Sequence, residues 1–278
     1  MSEGLRIRGL EVTYRGHPPV KAVAGVDLDV APGEVVGLVG ESGCGKSTLA
    51  RAVCGLVTPS AGQISFDGVP VRPLGMSRRP PDLLRIQMVF QDPYTSLHPR
   101  RRVGAQIAEG IRAARSRGET GTGSPAEWLE RVGLRAADAQ RYPHEFSGGQ
   151  RQRIATARAL AARPGLLIGD EPISSLDAST QSLIAALMHD LAVAAGAGML
   201  FISHDLSVVR LIADRLIVMY RGRVVESGRT EQVWNSPQHP YTQTLLAAIP
   251  LADGQGKLPD APADEVEYPL EPVLHALS

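Results

Sequence analysis

Residues 40–48 of this 278-residue chain read Gly-Glu-Ser-Gly-Cys-Gly-Lys-Ser-Thr. That spacing of glycines, an ammonium and hydroxyls suits a row of phosphates. An apolar run at residues 35–39 precedes it, and a helix through about Cys54 is expected after it. This is the strand, loop and helix context that G-x-x-x-x-G-K-[ST] requires. Glycine lets the backbone bend so that successive amides along Gly40, Glu41, Ser42, Gly43, Cys44, Gly45, Lys46, Ser47 and Thr48 point inward. The helix N-terminus adds the positive end of its dipole. Lys46 would place a charge between β- and γ-phosphates, and Ser47 would offer a hydroxyl to Mg²⁺.

A second group completes the chemistry. Residues 166–168 are Leu-Leu-Ile and lead through Gly169 to Asp170, Glu171 and Pro172. A carboxylate at the end of a buried strand, such as Asp170, suits a direct or water-mediated contact to Mg²⁺. Glu171, one residue on, can polarise an attacking water as general base. His204 ends the apolar run at residues 199–202, level with those carboxylates, where an imidazole can hydrogen-bond a γ-phosphate and register its loss. His17, His98, His144, His189, His239 and His275 are read as structural, bonded to backbone.

These residues need a frame, and the hydrophobic periodicity supplies one. Leu5, Ile7, Leu10, Val12 and Tyr14 alternate as a strand, with Gly9 disturbing the register, and Val26, Leu28 and Val30 continue at period two. Asp67-Gly68 marks a hairpin. Residues 86–90, 166–168 and 199–202 read as buried strands, with a helix at 180–195 and a hairpin joining 217–220 to 223–226. Between residues 92 and 162 the pattern turns helical, at 103–114 and 125–132, with a loop at 118–124 and a helix capped by Ser147. The outcome is an α/β core interrupted by a helical insertion.

From this point the chain resembles the ATP-binding subunits of ABC transporters, over residues 14 to about 250. The resemblance rests on the segments GESGCGKST, FQD, FSGGQ, LLIGDEP, SSLD and ISHD in that order. It implies a P-loop NTPase core with an antiparallel β subdomain, a helical insertion and a short C-terminal extension. The corresponding boundaries are a core at 1–91 and 163–228, the helical subdomain at 92–162, the extension from 229 to 250 and an acidic tail at 251–278. Ser147, Gly148, Gly149 and Gln150 look like the signature segment that completes the ATP site of a second subunit. The helix N-terminus there is a second anion-binding feature in a chain that already has a phosphate loop. Gln91 resembles the glutamine that reaches Mg²⁺ or the attacking water while tethered to the insertion. Residues 174–177 look like the loop that crosses the dimer interface, and Tyr14 like the aromatic that stacks on adenine, its alternative being an ordinary strand aromatic.

Residues 91–100 (QDPYTSLHPR), 141–150 (RYPHEFSGGQ) and 236–250 (SPQHPYTQTLLAAIP) narrow the likeness to the dipeptide, oligopeptide and nickel branch of ABC importers. That branch implies ATP and Mg²⁺ as ligands and a second ABC ATPase subunit, identical or different, as partner. It also implies two transmembrane permease subunits, an extracytoplasmic solute-binding protein acting indirectly, and a place on the cytoplasmic face of the membrane. Some members carry a cysteine-bound cluster in the extension; here no cysteine follows Cys54. A soluble ABC ATPase acting on ribosomes or DNA, or an exporter ATPase, stands as the alternative.

Composition bears on that choice. Lys plus Arg and Asp plus Glu both number 29, so no global charge argues for nucleic acid. From Leu251 onward six acidic residues face the single Lys257, read as a solvated tail. Arg100, Arg101 and Arg102 could meet membrane subunits or form a solvated basic turn. No apolar run approaches the ~18 residues needed to span a bilayer, so a membrane role is expected to come through a partner.

Overall fold

A computed structural model describes residues 3–75, 79–92, 96–174, 176–249 and 267–275. In chain order the strands are β1 (Leu5–Tyr14), β2 (Val20–Val30), β3 (Val35–Val39), β4 (Ala61–Phe66), β5 (Val69–Pro70), β6 (Ile86–Val89), β7 (Leu166–Asp170), β8 (Gly198–Ile202), β9 (Arg215–Tyr220), β10 (Arg223–Arg229) and β11 (Val273–Leu274). The helices are α1 (Lys46–Val53), α2 (Val103–Ser116), α3 (Pro125–Arg131), α4 (Gly148–Ala161), α5 (Ala178–Ala194), α6 (Leu206–Ile212), α7 (Thr230–Asn235) and α8 (Pro240–Ala247).

Strands apolar along their whole length make the centre. All five residues of β3 are buried, and they alternate between two cores: Val35 and Val39 face the helices, Val36 and Leu38 the antiparallel sheet. Strand β8 divides likewise, with Met199 and Phe201 on one side and Leu200 and Ile202 on the other. Burial on both faces explains the continuous apolar runs. At Gly37 a Cβ would lie 2.3 Å from Val209 Cγ1, so glycine there lets α6 rest directly on the strand. The main sheet runs β11-β10-β9-β3-β8-β7-β6. Strands β6, β7, β8, β3 and β9 are parallel, which brings the ends of β3, β7 and β8 to one edge.

The second sheet, β2-β1-β4-β5, is antiparallel. Its register slips between Ile7 and Leu10, the position that Gly9 marks in the sequence. The insertion between β6 and β7 holds α2, α3 and α4. Ser124 and Glu127 form a capping box with Pro125 in the first turn of α3. A Cβ at Gly110 would come within 2.7 Å of the Arg158 carbonyl, so α2 and α4 meet backbone to backbone. Two of the three adjacent arginines are engaged inside the insertion: Arg101 pairs with Glu109, and Arg102 donates to Gln140 Oε1 at 2.5 Å.

The C-terminal region differs from the sequence expectation. Residues 267–275 are not a solvated tail: Val273 and Leu274 add a parallel strand to β10, opposite Glu226 and Ser227. Glu226 is fully buried and accepts from the Gln238 amide at 2.8 Å, the His239 amide at 3.1 Å and His275 Nε2 at 2.7 Å. Burial alone would push its carboxyl up, but these donors together hold it below the ordinary carboxylate range. His275 thus binds a carboxylate rather than backbone. His239 meets the backbone expectation, its ring contacting the Tyr241 amide and the Pro269 carbonyl. The acidic count masked this segment because its binding groups, Tyr268, Val273 and His275, find partners at residues 220–244.

Removing the acceptor strands several buried donors, so Glu226→Ala should cost about 2–4 kcal/mol. Thermal melting should then fall by roughly 5–15 °C. The Glu226 contribution is present above the pKa of an unfolded glutamate and is lost as pH falls through the lowered folded value. Acid titration of wild type against Glu226→Ala should therefore show the two melting temperatures converging below about pH 4.

Candidate functional site

The phosphate loop lies between β3 and α1, and its shape depends on glycine. Gly40 has φ 145° and Gly45 φ 109°, values that L side chains rarely adopt. A Cβ at Gly40 would sit 2.1 Å from the Met219 carbonyl oxygen, and one at Gly45 would sit 2.1 Å from that of Ala22. Lys46 is 5% exposed, and its Nζ donates to the carbonyls of Gly40 at 2.6 Å and Glu41 at 2.7 Å. The ammonium is folded back over the loop it would serve, held by weak acceptors that phosphate oxygens can replace.

Cys44 and Cys54 are both buried free thiols. Burial raises Cys44 despite nearby Lys46, and burial pushes Cys54 up to about 12. Both stay protonated at neutral pH, so iodoacetamide should label the native chain at least tenfold more slowly than the urea-unfolded chain, read by mass spectrometry.

The strand ends bring the remaining candidates together. Asp170 is 2% exposed and accepts from Ser47 Oγ at 2.7 Å. Burial raises its carboxyl, opposed by the Ser47 hydroxyl and the Arg51 and Lys46 charges. A buried carboxylate beside a hydroxyl fits a hard divalent cation, which would relieve that burial penalty. Among the described residues no group of three or more His, Cys, Asp or Glu is placed to hold a metal. Mg²⁺ characteristically takes one or two protein oxygens and completes its shell with phosphates and water.

Glu171 adopts φ 48°, a left-handed backbone that few non-glycine residues accept. Its amide donates to the Ile202 carbonyl at 3.0 Å, so the chain turns sharply where β7 ends. Its Oε2 accepts from Gln91 Nε2 at 2.7 Å and lies 3.5 Å from His204 Nδ1. Two side chains from the ends of the neighbouring strands β6 and β8 therefore converge on one oxygen of the Glu171 carboxylate at the end of β7. Tyr14 is 41% exposed, and its Oη lies 3.3 Å from Thr48 Oγ1, which places the side chain beside the phosphate loop.

Ser147 caps α4. Its Oγ accepts from the Gln150 amide at 3.3 Å while Gln150 Oε1 accepts from the Ser147 amide at 3.0 Å. The amides of Gly148 and Gly149 lie in the first turn, where helices have no internal partner to offer. A Cβ at Gly148 would meet nothing within 4 Å. No hydrogen bond or ion pair joins Ser147, Gly148, Gly149 or Gln150 to the phosphate loop among the described residues. Of residues 174–177, Ser174 Oγ donates to the Glu171 carbonyl at 3.1 Å and Asp177 caps α5; Ser175 lies outside the described residues, as do Pro93, Tyr94 and Thr95 of the segment after Gln91.

Some positioning residues escaped the sequence reading. Gln152 on α4 donates to the Phe90 carbonyl at 3.1 Å, tying the helix capped by Ser147 to the residue before Gln91. Gln106 on α2 holds the loop that leads into that helix, through the His98 amide and the His98 and Arg101 carbonyls. Neither lies in a chemical motif; each is a long polar side chain on the buried face of its helix, which is the signal that could have found it.

The family described as ABC transporter matches residues 23–174, the span from β2 through the Asp170-Glu171 turn. The chain belongs to this ABC transporter family. Residues 225–271 of this ABC ATPase match the family described as oligopeptide/dipeptide transporter, C-terminal region. The matched region reaches past the extension expected at residues 229–250 into the segment that packs on β10. The ABC ATPase is 47% identical over 257 residues to a putative peptide import ATP-binding protein of Brucella ovis, covering 90% of this chain and 79% of that one. It is 46% identical over 270 residues to the oligopeptide transport ATP-binding protein OppF of Bacillus subtilis, covering 96% and 86%. Among solved structures it is similar to a dimeric ATP-binding cassette in a post-hydrolysis state bound to ADP and Pi, at TM-score 0.69 and 27% identity, covering 81% of this chain and 98% of that one. It is also similar to cbiO1 of Clostridium perfringens, part of the ABC transporter complex cbiONQ, at TM-score 0.68 and 29% identity, covering 85% and 92%. The ABC ATPase therefore has the α/β P-loop fold of these cassettes and an ATP-hydrolysing activity. Among its described residues no helix is long and apolar enough to cross a membrane.

Proposed function

We propose that this ABC ATPase binds ATP between two facing subunits and uses its hydrolysis to power import of peptides or related small solutes through separate membrane subunits. The observation that carries the reading is one chain joining a phosphate loop and Glu171 centre to a C-terminal region of the oligopeptide/dipeptide transporter type.

The residues divide the work. Residues 40–48 cradle the phosphates with their amides, and Lys46 exchanges its carbonyl partners for β- and γ-phosphate oxygens. Ser47 and Asp170, with Gln91 as a further ligand, would hold Mg²⁺, whose charge screens the phosphate oxygens. Glu171 takes a proton from the attacking water, its carboxylate aimed by Gln91 and His204. Stacking of adenine on Tyr14 would fix the base. The second subunit presents Ser147, Gly148, Gly149 and Gln150, so that the γ-phosphate bridges two chains and its loss lets them part.

The partners are a second ABC ATPase and two transmembrane permease subunits, with a solute-binding protein acting from outside. Nucleic acid has no part, and the chain sits on the cytoplasmic face of the membrane. Co-expression with candidate permease and solute-binding subunits from the same source, followed by reconstitution in proteoliposomes, tests this directly. Peptide-stimulated ATP hydrolysis and uptake are expected. Co-purification with ribosomes or DNA, with hydrolysis indifferent to peptides, would overturn the import reading.

A further inference from the structure

The C-terminal region reaches back to the phosphate loop through one side chain. Tyr241, in the first turn of α8, is 1% exposed, and its hydroxyl accepts from the Glu41 amide at 2.9 Å. That amide belongs to the same peptide unit as the Gly40 carbonyl, which accepts from Lys46 Nζ at 2.6 Å. One peptide plane is thus held on one side by a phenol and on the other by the ammonium meant for the phosphates. Gly40 alone could not fix this plane, because glycine leaves its own backbone the widest choice of conformations.

The ring that carries the hydroxyl is itself enclosed. Tyr220 of β9 lies against it, with centroids 4.5 Å apart, and Tyr268 meets it edge-on at 5.4 Å. Tyr268 comes from the segment that ends in β11, and its hydroxyl donates to Thr244 Oγ1 at 3.0 Å on α8. Tyr220 and Tyr268 are also in edge contact at 5.5 Å. Three aromatic rings from three separate parts of the chain thus place one oxygen atom against the phosphate loop.

We infer that Tyr241 is a positioning residue for nucleotide binding: its hydroxyl fixes the Gly40–Glu41 peptide, and so the resting place of Lys46, while Tyr268 clamps its ring. It touches no phosphate and acts through the loop. The inference rests on residues 40–48 being the ATP phosphate site.

Tyr241→Phe removes only the oxygen and keeps the ring packing. Steady-state ATP hydrolysis by the full chain assembled with its membrane partners should show KM raised about 3- to 10-fold with kcat within twofold, the size expected when one hydrogen bond to the loop is lost. The melting temperature should fall by no more than about 4 °C. Tyr268→Ala, which leaves the hydroxyl but frees the ring, should raise KM by a smaller factor, again without lowering kcat. A KM for Tyr241→Phe equal to wild type, or a fall in kcat at unchanged KM, would overturn the inference. A wild-type chain that does not bind ATP at all would instead sink the reading of the phosphate site on which it rests.

Discussion

Glu171→Gln is expected to bind ATP with an affinity within a few-fold of wild type and to hydrolyse it 10²- to 10⁴-fold more slowly, the usual cost of losing a general base. The geometry favours a clean separation of the two effects. Glutamine has the same shape as glutamate and keeps an oxygen for Gln91 Nε2, which now lies 2.7 Å from Glu171 Oε2. The phosphate loop has its own glycines and Lys46, none of which bonds to Glu171. What the amide cannot do is accept a proton from water. Because the residue already sits at φ 48°, a replacement of unchanged shape also avoids disturbing the turn at the end of β7. Equilibrium binding of a fluorescent ATP analogue and phosphate release, measured on the same preparation, decide the matter. Hydrolysis within a few-fold of wild type would remove Glu171 from the base role.

The second large effect concerns the helix that serves a neighbour. Gly148→Asp puts a carboxylate in the first turn of α4, at a position where a Cβ meets nothing within 4 Å and where no positive φ forbids a side chain. Negative charge there favours the helix itself by about 0.3–1 kcal/mol through the dipole, so the melting temperature should hold or rise slightly. The same charge would face the γ-phosphate held by the opposite subunit. Turnover should fall by about 10²- to 10³-fold, as when a designed anion donor is lost, while the isolated chain binds ATP as before through its own loop. An unchanged fold, unchanged binding and lost turnover are hard to reconcile with any arrangement in which each chain works alone. Full-speed hydrolysis by assemblies carrying the change on both ATPase subunits would exclude the shared site.

Relations between neighbours in the chain were legible from residue types. Residues 40–48 announce their loop because only glycine tolerates the backbone at Gly40 and Gly45, and Asp170 and Glu171 announce a strand end because four apolar or small residues and a proline bracket them. Ser147 declares a helix start for the same local reason: its side chain satisfies an amide three residues on. The doubly covered strands β3 and β8 show as unbroken apolar runs, so the α/β class needed no tertiary information.

Tertiary structure decided which distant groups meet. Gln91, Glu171 and His204 are scattered over 114 positions, and only the parallel order β6-β7-β8 sets their strand ends side by side. Tyr241 stands 200 residues from the amide it holds, and its motif, read alone, gives no hint of the phosphate loop. The acidic count of the last 28 residues suggested a solvated tail, whereas residues 267–275 dock because β10 offers an unpaired edge and Glu226 a buried acceptor. The physical reason is common to all three. Backbone conformation and burial pattern are properties of a short window of chain, while the partner of a buried donor, acceptor or ring is set by how separate windows pack.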